Sequence, residues 1–578
     1  MALLALLALM PLVALHAAPS LPMVAEHNEF RVALTAKLTT LDPTAAGELY
    51  SRQATQLFYE TLFEYHYLKR PYQLTPGLAE KLPTTSADFK RFTVQLRKKV
   101  FFHDDPCFAA THGKGREMTS ADVVYMFERM ATRGLHSPYF DTFEHIIEGI
   151  DDFYAGKAAT ISGVRTTGLY SVELRLTRPH PRLADELTDS RTSIIARECV
   201  EFYGDKFATH PVGTGPFLAR EVELHSKIVG VKNPNYHHRL YPADGNADSR
   251  KRGLLADANH ALPFVDKVVF EILPEAQPRW LKFMAGQLDM TTLTRDNIPV
   301  VLDAKGGLVA DIAARGLHLE REPHKEARVF IFNMLDAVWG RKKELRQAFA
   351  LALDIPKIIE RLFSGQAVQL ESIIASNMYG FDPGFKSRWG RRNLSLSKAL
   401  LAKAGFAEGK GLPALNFSVT SESEQRQFFE LVAQQLREAG IPLELEALTF
   451  PVLVQRLNLM KFGVSTLGFI TSFPDADDSL GRAVSQSIGV GGNTAGYKNP
   501  EVDRLGDEIA ALSNGKPRMA KIHRFQQIMD EDLPYVPLLT RIDNQLTQPW
   551  VQNHAFTDDA FLGTFIKYHR VNFAGESY

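Results

Sequence analysis

Apolar and polar residues follow one another in patterns that predict a mixture of strands and helices. Residues 415–419 alternate with a period of two, which is typical of a strand with one buried face. Residues 424–439 carry apolar positions at helical spacing, and Gly440 is a residue suited to end that helix. Further strands are predicted at 441–445 and 464–470. This succession indicates an α/β fold with a partly parallel sheet covered by helices.

The amino-terminal part of the chain has the same mixed character. Residues 31–34 and 92–96 predict strands. Residues 54–65 have apolar positions that fit one face of a helix. Thr119 and Asp122 have the spacing of a capping box, which predicts that a helix begins there.

Composition places the chain among ordinary soluble globular proteins. It has 578 residues, 66 Lys and Arg against 67 Asp and Glu, and a formal net charge of −1. A nucleic-acid-binding protein needs a basic surplus, so no nucleic-acid partner is expected. At roughly 150 residues per domain, the length allows about three or four domains.

The first eighteen residues have the character of an export signal. Residues 1–18 are apolar and uncharged, end in small residues and are too short for a comfortable membrane span. The first Lys or Arg is Arg31, so the usual positive start of such a signal is missing. We expect cleavage after Ala18 and a soluble exported protein. No Cys occurs before Cys107, so no lipid anchor is expected. A buried core helix is the alternative.

The sequence carries no convincing enzyme signature. It contains no GxxxxGK[ST] loop, GxSxG elbow or HExxH helix. The glycines of 213–217 favour a tight turn, and the neighbouring His237 and His238 favour surface roles over metal binding. The acidic loop 475–478 is interpreted as a charged turn that caps the next helix, with a calcium site as the alternative. We therefore expect no catalysis, cofactor or metal.

Short segments spread over nearly the whole chain match, in order, the motifs of one family. The segments are Thr40–Pro43, Tyr59–Phe63, Leu78–Glu80, Leu96–Lys98, Val100–Asp104, Thr119–Asp122, Gly213–Phe217, Asn233–Tyr236, Gly286–Asp289, Asn333, Leu345–Ala348 with Asp354, Ala404–Phe406 and Gly496–Asp503. Each segment is weak alone, but their joint order and spacing are specific. By these segments the chain resembles the bacterial extracellular solute-binding proteins of family 5, which include the oligopeptide- and dipeptide-binding proteins of ABC importers.

The resemblance implies a two-lobed fold of the periplasmic-binding-protein type (type II, three-domain form) with a ligand cleft between the lobes. The first lobe would be assembled from residues 27–70, 215–325 and 545–578. A family-specific second domain would span 71–214, and the third domain, which forms the second lobe, 326–544. Hinge motion of the lobes would close the cleft over the ligand.

The implied function is that of a periplasmic, monomeric substrate-binding component that delivers a peptide-like solute to the permease subunits of an ABC importer. The sequence leaves two alternatives open. The same fold can bind a non-peptide solute, such as an oligosaccharide or a metal chelate. The other alternative, from a different class, is an exported hydrolase that uses the carboxylates of the loop 475–478.

The resemblance also indicates ligand-binding residues. Peptide-binding members carry a Trp in the loop matching 469–475 and, three residues later, an Asp that pairs with the peptide's α-ammonium group; this chain has Phe469 and Ser472 there. We expect aromatic contact from Phe469 and Phe473, and Asp475 is the nearest acid in sequence that can replace the missing anchor. Further candidates for the wall of the cleft are Tyr50, Phe332 and Asn333. Plain core packing is the alternative for each candidate.

The two cysteines are predicted to form one disulfide, Cys107–Cys199. They are the only cysteines of the chain, and the periplasm favours their oxidation. Both lie in the proposed second domain. Two separate buried thiols are the alternative.

Overall fold

A computed structural model describes residues 27–573, except residues 238, 377, 422, 472, 490 and 491. The predicted export signal and Ser472 therefore lie outside the described residues. Among the described residues, no helix is both long and apolar enough to cross a membrane.

Strands occur along the whole described chain. They are β1 (Glu29–Leu34), β2 (Phe63–Tyr65), β3 (Leu74–Pro76), β4 (Thr84–Thr85), β5 (Arg91–Gln95), β6 (Val164–Gly168), β7 (Ser171–Arg175), β8 (Phe217–Glu223), β9 (Lys227–Lys232), β10 (Lys267–Ile272), β11 (Met290–Thr292), β12 (His318–Pro323), β13 (Glu326–Phe332), β14 (Ala367–Gln369), β15 (Leu415–Thr420), β16 (Leu443–Leu448), β17 (Val464–Ile470), β18 (Tyr535–Thr547), β19 (Val551–Gln552) and β20 (Arg570–Val571).

Helices alternate with these strands. They are α1 (Leu49–Thr55), α2 (Ser120–Met130), α3 (Ile150–Tyr154), α4 (Leu183–Glu186), α5 (Arg197–Tyr203), α6 (Ala247–Lys251), α7 (Ala276–Met284), α8 (Ile298–Val301), α9 (Ala310–Ala313), α10 (Lys343–Ala352), α11 (Ile355–Phe363), α12 (Leu394–Lys403), α13 (Ser423–Ala439), α14 (Phe450–Asn458), α15 (Asp477–Gly481), α16 (Pro500–Ala510), α17 (Lys516–Asp532) and α18 (Leu562–Phe565).

Twelve strands of the described chain form one large mixed sheet. At one end, β15 pairs in parallel with β16 and β17, and β13 lies antiparallel between β17 and β18. At the other end, β1 pairs in parallel with β10 and β11. The sequence therefore predicted the α/β class and the partly parallel sheet correctly.

The long strand β18 belongs to both halves of this sheet. Its first half pairs with β13, and its second half pairs with β12 and β11. Separate apolar cores lie on the two sides of this crossing. We call residues 27–325 with 545–573 the amino-terminal lobe and residues 326–544 the central lobe. The backbone crosses from one lobe to the other within β18 and, beside it, at the junction of β12 and β13.

The helix signals of the sequence are visible in the capping geometry. Thr119 and Asp122 form the predicted capping box, in which the Asp122 carboxylate accepts the backbone N–H of Thr119 at 2.8 Å. Helix α13 ends at Ala439, and Gly440 follows with a φ of 89°. A positive φ costs glycine little, since it has no Cβ, so the chain turns here into β16.

One predicted helix is wrong. The helix expected over 54–65 already ends at Thr55, and Phe63–Tyr65 form β2, which pairs with β3. Nearly all residues of this segment are buried. A segment that is buried on every side has no polar face, so the spacing of its apolar residues does not distinguish a helix from a turn and a strand.

Cys107 and Cys199 form a disulfide within the amino-terminal lobe, with their Cα atoms 4.9 Å apart. Both residues lie in its main apolar core.

Protein purified from its native compartment is therefore expected to show no free thiol after denaturation without reductant. The same protein should show two thiols after reduction, and a Cys107→Ser variant, denatured without reductant, provides the one-thiol control. Thiol counting checks this. Two free thiols in the unreduced wild-type protein contradict the disulfide, and they also weaken the prediction of export.

Candidate functional site

An ionic cluster of two carboxylates and two guanidinium groups joins the lobes. In the central lobe, Arg518 donates to both carboxylate oxygens of Asp475, at 2.9 and 2.5 Å, and also to Asp477. From the amino-terminal lobe, the Arg182 guanidinium lies 3.6 Å from an oxygen of Asp475 and 3.6 Å from an oxygen of Asp477. Arg518 and Asp475 are buried. The contact between the lobes is therefore electrostatic here.

Local structure explains how these groups meet. Asp475 follows the carboxyl end of β17. Arg518 lies in the first turn of α17, and helical side chains point towards the helix amino terminus, here towards the loop that holds Asp475. Arg182 directly precedes α4 and follows Pro179 and Pro181, which restrict the backbone of this connection.

Burial and the like charges change the titration of the cluster. Burial and the neighbouring Asp475 raise the pKa of Asp477 to about 6, although Arg518 and Arg182 act in the opposite direction. Burial also raises the pKa of Asp185 to about 6, opposed by Arg182. Burial by itself would lower the pKa of Arg518, but its hydrogen bonds and charge interactions with the two aspartates raise it. Arg518 therefore stays charged.

A cavity of about 480 Å³ lies beside this cluster, with walls from both lobes. The amino-terminal lobe contributes Arg178, His180, Arg182 and Glu186, and the central lobe contributes Phe473, Asp477, Asp478 and Arg482. In these walls two basic side chains lie next to acidic ones: His180 is 2.8 Å from Glu186, and Arg482 is 3.7 Å from Asp478. The cavity thus offers an aromatic side chain and charges of both signs.

A second cavity, of about 230 Å³, lies in the amino-terminal lobe at the carboxyl ends of β1 and β11. Tyr50 lines it, and the Tyr50 hydroxyl is 2.5 Å from the Thr35 hydroxyl. Arg279 and Thr292 lie in the same wall. Ligands of open α/β sheets often bind beyond the carboxyl ends of parallel strands, so this position suits a binding surface.

Only some of the predicted site residues line the two cavities. Tyr50 lines the smaller cavity and Phe473 the larger one. Phe469 is half-buried at the end of β17, with the Arg482 guanidinium 4.4 Å above its ring and Tyr535 against its edge. Asp475 lies behind the larger cavity in the ionic cluster. These four residues do not share one cavity.

Phe332 and Asn333 have the surroundings of core residues. Phe332 is fully buried against Trp339 and Phe349. The side-chain amide of Asn333 donates to the carbonyls of Met460 and Phe462, both at 2.9 Å. Asn333 thereby ties the end of β13 to the loop that precedes β17. Neither side chain lines the two cavities described above.

The acidic loop acts as a turn before a helix. The Asp475 carboxylate accepts the backbone N–H of Asp477, the first residue of α15, at 3.0 Å. Arg518 and Arg182 hold the carboxylate oxygens that a calcium ion would need, so the geometry favours the capping turn. The surface role expected for His237 is wrong, because its side chain is buried and contacts the Glu60 carboxylate at 2.6 Å. Its neighbour His238 lies outside the described residues.

Sequence reasoning missed Arg182, Arg482 and Arg518. Arg482 lies one helical turn after Asp478, a spacing that the sequence does contain. Arg182 also has an acid at helical spacing, Asp185 at 3.9 Å, but no signal for its contact with the central lobe, where it donates at 2.8 Å to the carbonyl of Leu512, 330 positions away in sequence.

Comparison with known proteins gives matches over nearly the whole chain. The family model "Bacterial extracellular solute-binding proteins, family 5 Middle" matches residues 73–489. The periplasmic oligopeptide-binding protein OppA of Salmonella typhimurium is 24% identical over 500 residues, which are 84% of this chain and 82% of the relative. The heme-binding protein A of Haemophilus influenzae is 22% identical over 551 residues, which are 90% of this chain and 88% of the relative.

The fold also has solved counterparts. The structure of MppA, a periplasmic murein tripeptide binding protein in its unliganded open form, matches with a TM-score of 0.75 at 18% sequence identity. The match covers 95% of this chain and 98% of that structure, so it includes both lobes.

Proposed function

The chain belongs to the bacterial extracellular solute-binding proteins of family 5, and on this premise we propose that it is the periplasmic substrate-binding component of an ABC importer. It takes a peptide-like solute between its two lobes and delivers it to the permease subunits in the membrane. The oligopeptide and murein tripeptide named for two of its relatives support this solute class.

The observation that carries the proposal is the cavity of about 480 Å³ with walls from both lobes. Its volume lies within the range of about 300–1,000 Å³ that is typical of small-molecule sites. Phe473 provides an apolar surface, while Arg178 and Asp478 represent the two signs of charge in the walls. A peptide-like solute presents the matching features, namely apolar side chains, polar amides and charged groups.

The connections between the lobes support a hinge. Only short stretches of backbone need to rotate where β12 continues into β13 and where β18 crosses between the two cores. The lobes can therefore move as bodies towards a bound solute.

Ligand binding is expected to stabilise the fold and to close the lobes. A solute bound only by the folded state adds about 2.7 kcal/mol at a hundredfold excess over Kd. Thermal shift against a solute library should give a few strong hits, and small-angle scattering should show compaction with each of them. Solutes without a thermal shift are the matched control and should leave the scattering unchanged. A tight ligand that causes no compaction would contradict the hinge.

A non-peptide solute, such as an oligosaccharide or a metal chelate, is the second candidate. Two observations favour it. One relative is named for heme binding. In addition, Asp475 is already paired with Arg518, and Ser472 carries no charge, so neither residue offers a free carboxylate to a peptide's ammonium group. Native mass spectrometry of protein purified from its own periplasm identifies the bound solute by mass and separates the two candidates.

The relatives named above are binding proteins, and we propose that this chain does not catalyse a reaction. Glycosidases place two carboxyl groups about 5–10 Å apart on opposite sides of the scissile bond. Asp475 and Asp477 lie in one short loop on one side of the cavity and are both held by Arg518. Incubation with peptide and glycan libraries tests this point: a binding protein returns its ligand intact, whereas a hydrolase returns fragments.

The protein proposed here acts as a monomer in the periplasm, without a nucleic-acid partner. The division into three domains, with 71–214 as a separate unit, is supported by a four-stranded sheet, β4-β5-β7-β6, that lies within this range.

A further inference from the structure

The ionic cluster brings opposite charges together across the contact between the lobes, and Arg182 also lies 3.9 Å from Asp185 of its own lobe. Asp475 and Asp477 supply two carboxylates, and Arg518 and Arg182 supply two guanidinium groups. Arg518 belongs to the same lobe as Asp475 and Asp477. Arg182 is the guanidinium group that reaches these two carboxylates from the opposite lobe.

Arg182 is built into this position. Its side chain is buried, and it donates to the carbonyl of Leu512 in the central lobe at 2.8 Å. It reaches the carboxylates from the amino-terminal lobe, next to the cavity that holds the solute in the proposed function. Asp477 lines this cavity and Asp475 lies directly behind it, so a positive group of a solute would approach the carboxylates that Arg182 already contacts.

We propose that Arg182 fills, from within the protein, the acidic position that would otherwise receive a positive group of the solute. This inference rests on the proposed function and narrows its solute class. The solute is a peptide-like molecule that has no free ammonium group at this end, such as a peptide whose amino terminus is acylated.

The other charges of the cavity indicate what the solute does carry. His180 contacts Glu186, and Arg482 contacts Asp478. Arg178 is exposed in the wall of the cavity and makes no ion pair with the described residues. A carboxylate is the natural partner of such a guanidinium group. The inferred solute is thus an anionic, amino-blocked peptide-like molecule.

Displacement of Arg182 by a solute ammonium group is unfavourable. The displaced guanidinium would lose Asp475, Asp477 and the carbonyl of Leu512 together and would keep only Asp185, 3.9 Å away in its own lobe. A buried charge that loses most of its partners is costly, whereas a blocked amino terminus requires no such exchange.

The test compares two pools of tripeptides with the same sequences, one with free amino termini and one N-acetylated. Binding is measured by isothermal titration calorimetry for the wild-type protein, Arg182→Gln, Arg182→Lys and Arg197→Gln. Arg197 is an exposed arginine of the same lobe, paired with Glu128, and controls for the loss of one positive charge. Circular dichroism and thermal melting verify that each variant is folded.

The wild-type protein is expected to bind the acetylated pool at least about tenfold more tightly than the free pool. Arg182→Gln leaves two carboxylates against one guanidinium, so the preference should shift towards free amino termini by about tenfold or more. Arg182→Lys retains a positive charge and should keep the wild-type preference, as should Arg197→Gln. Arg178→Gln should weaken the acetylated pool but not the same peptides carrying a C-terminal amide.

The failures are distinguishable. Equal binding of both pools by the wild-type protein overturns the inference without any variant and leaves the proposed function intact. An unchanged ratio in folded Arg182→Gln also overturns it. If neither pool binds to any form of the protein, the peptide-like solute of the proposed function is wrong, and the inference falls with it.

Discussion

Replacing Arg518 with methionine is expected to lower the free energy of unfolding by about 3–5 kcal/mol, because a buried charge pair then loses one partner. Arg518 is fully buried and neutralises Asp475, which is also buried. Without the guanidinium group, the Asp475 carboxylate must stay charged without its main partner or take up a proton. Urea unfolding of both proteins at neutral pH measures the loss.

Two variants make this measurement specific. Arg524 lies in the same helix but is exposed and pairs with Glu501, so Arg524→Met should lower the free energy of unfolding far less than Arg518→Met. Adding Asp475→Asn to Arg518→Met removes the stranded charge and should recover part of the loss. A small effect of Arg518→Met, similar to that of Arg524→Met, would show that the cluster is not a buried structural unit.

The second large effect is a loss of folding stability in acid. It is expected at a buried hydrogen-bond network around Glu60 in the amino-terminal lobe. The Glu60 carboxylate contacts His237 at 2.6 Å and accepts hydrogen bonds from the hydroxyls of Tyr236 at 2.8 Å and Thr214 at 3.1 Å. Burial alone would raise the pKa of Glu60, but the charge and hydrogen bond of His237, with Lys567 behind it, lower it to about 2. The ordinary value is 4.5.

The direction of the pH effect follows from this shift. As the pH falls, the unfolded chain takes up the proton on Glu60 first, so the folded state loses stability between pH 4.5 and about pH 2. The full contribution, about 3 kcal/mol, is present only above pH 4.5. Between about pH 5 and about pH 3, the wild-type protein should therefore lose about 2 kcal/mol relative to Glu60→Gln.

Chemical unfolding of the two proteins at both pH values measures this difference. Glu80→Gln is the matched control, because Glu80 is an exposed carboxylate of the same lobe. The wild-type protein and Glu80→Gln should respond to acid in parallel. If the stability difference between wild type and Glu60→Gln does not change with pH, the network does not hold Glu60 as a buried anion.

The charged groups of the cavity connect stability with function. Asp475 was the nearest acid in sequence to the missing anchor of the peptide-binding relatives, and the structure uses its charge inside the protein, on Arg518. Asp475, which the sequence offered as a replacement anchor for the ligand, is thus a structural ion-pair partner. In the function proposed above, the choice of solute depends on the charges that remain in the walls of the cavity, above all on Arg178 and Arg182.

The sequence by itself determined the fold class and most of the predicted elements. The strands predicted at 415–419 and 464–470 are β15 and β17, and the helix predicted over 424–439 is α13. These patterns are reliable because a side chain's exposure repeats with the period of its own element. The helix predicted over 54–65 failed where burial on all sides removed that contrast.

Only the tertiary structure decided how the site is composed. The sequence placed Phe473 and the acidic loop next to each other, but it did not reveal that Arg182 reaches this loop from the other lobe. It also did not separate Tyr50, which lines a cavity, from Phe332, which is core. Periodicity reports the environment of a residue relative to its near neighbours in the chain. Charge pairing between lobes depends on which distant segments the fold brings together, and no local pattern of residues records that.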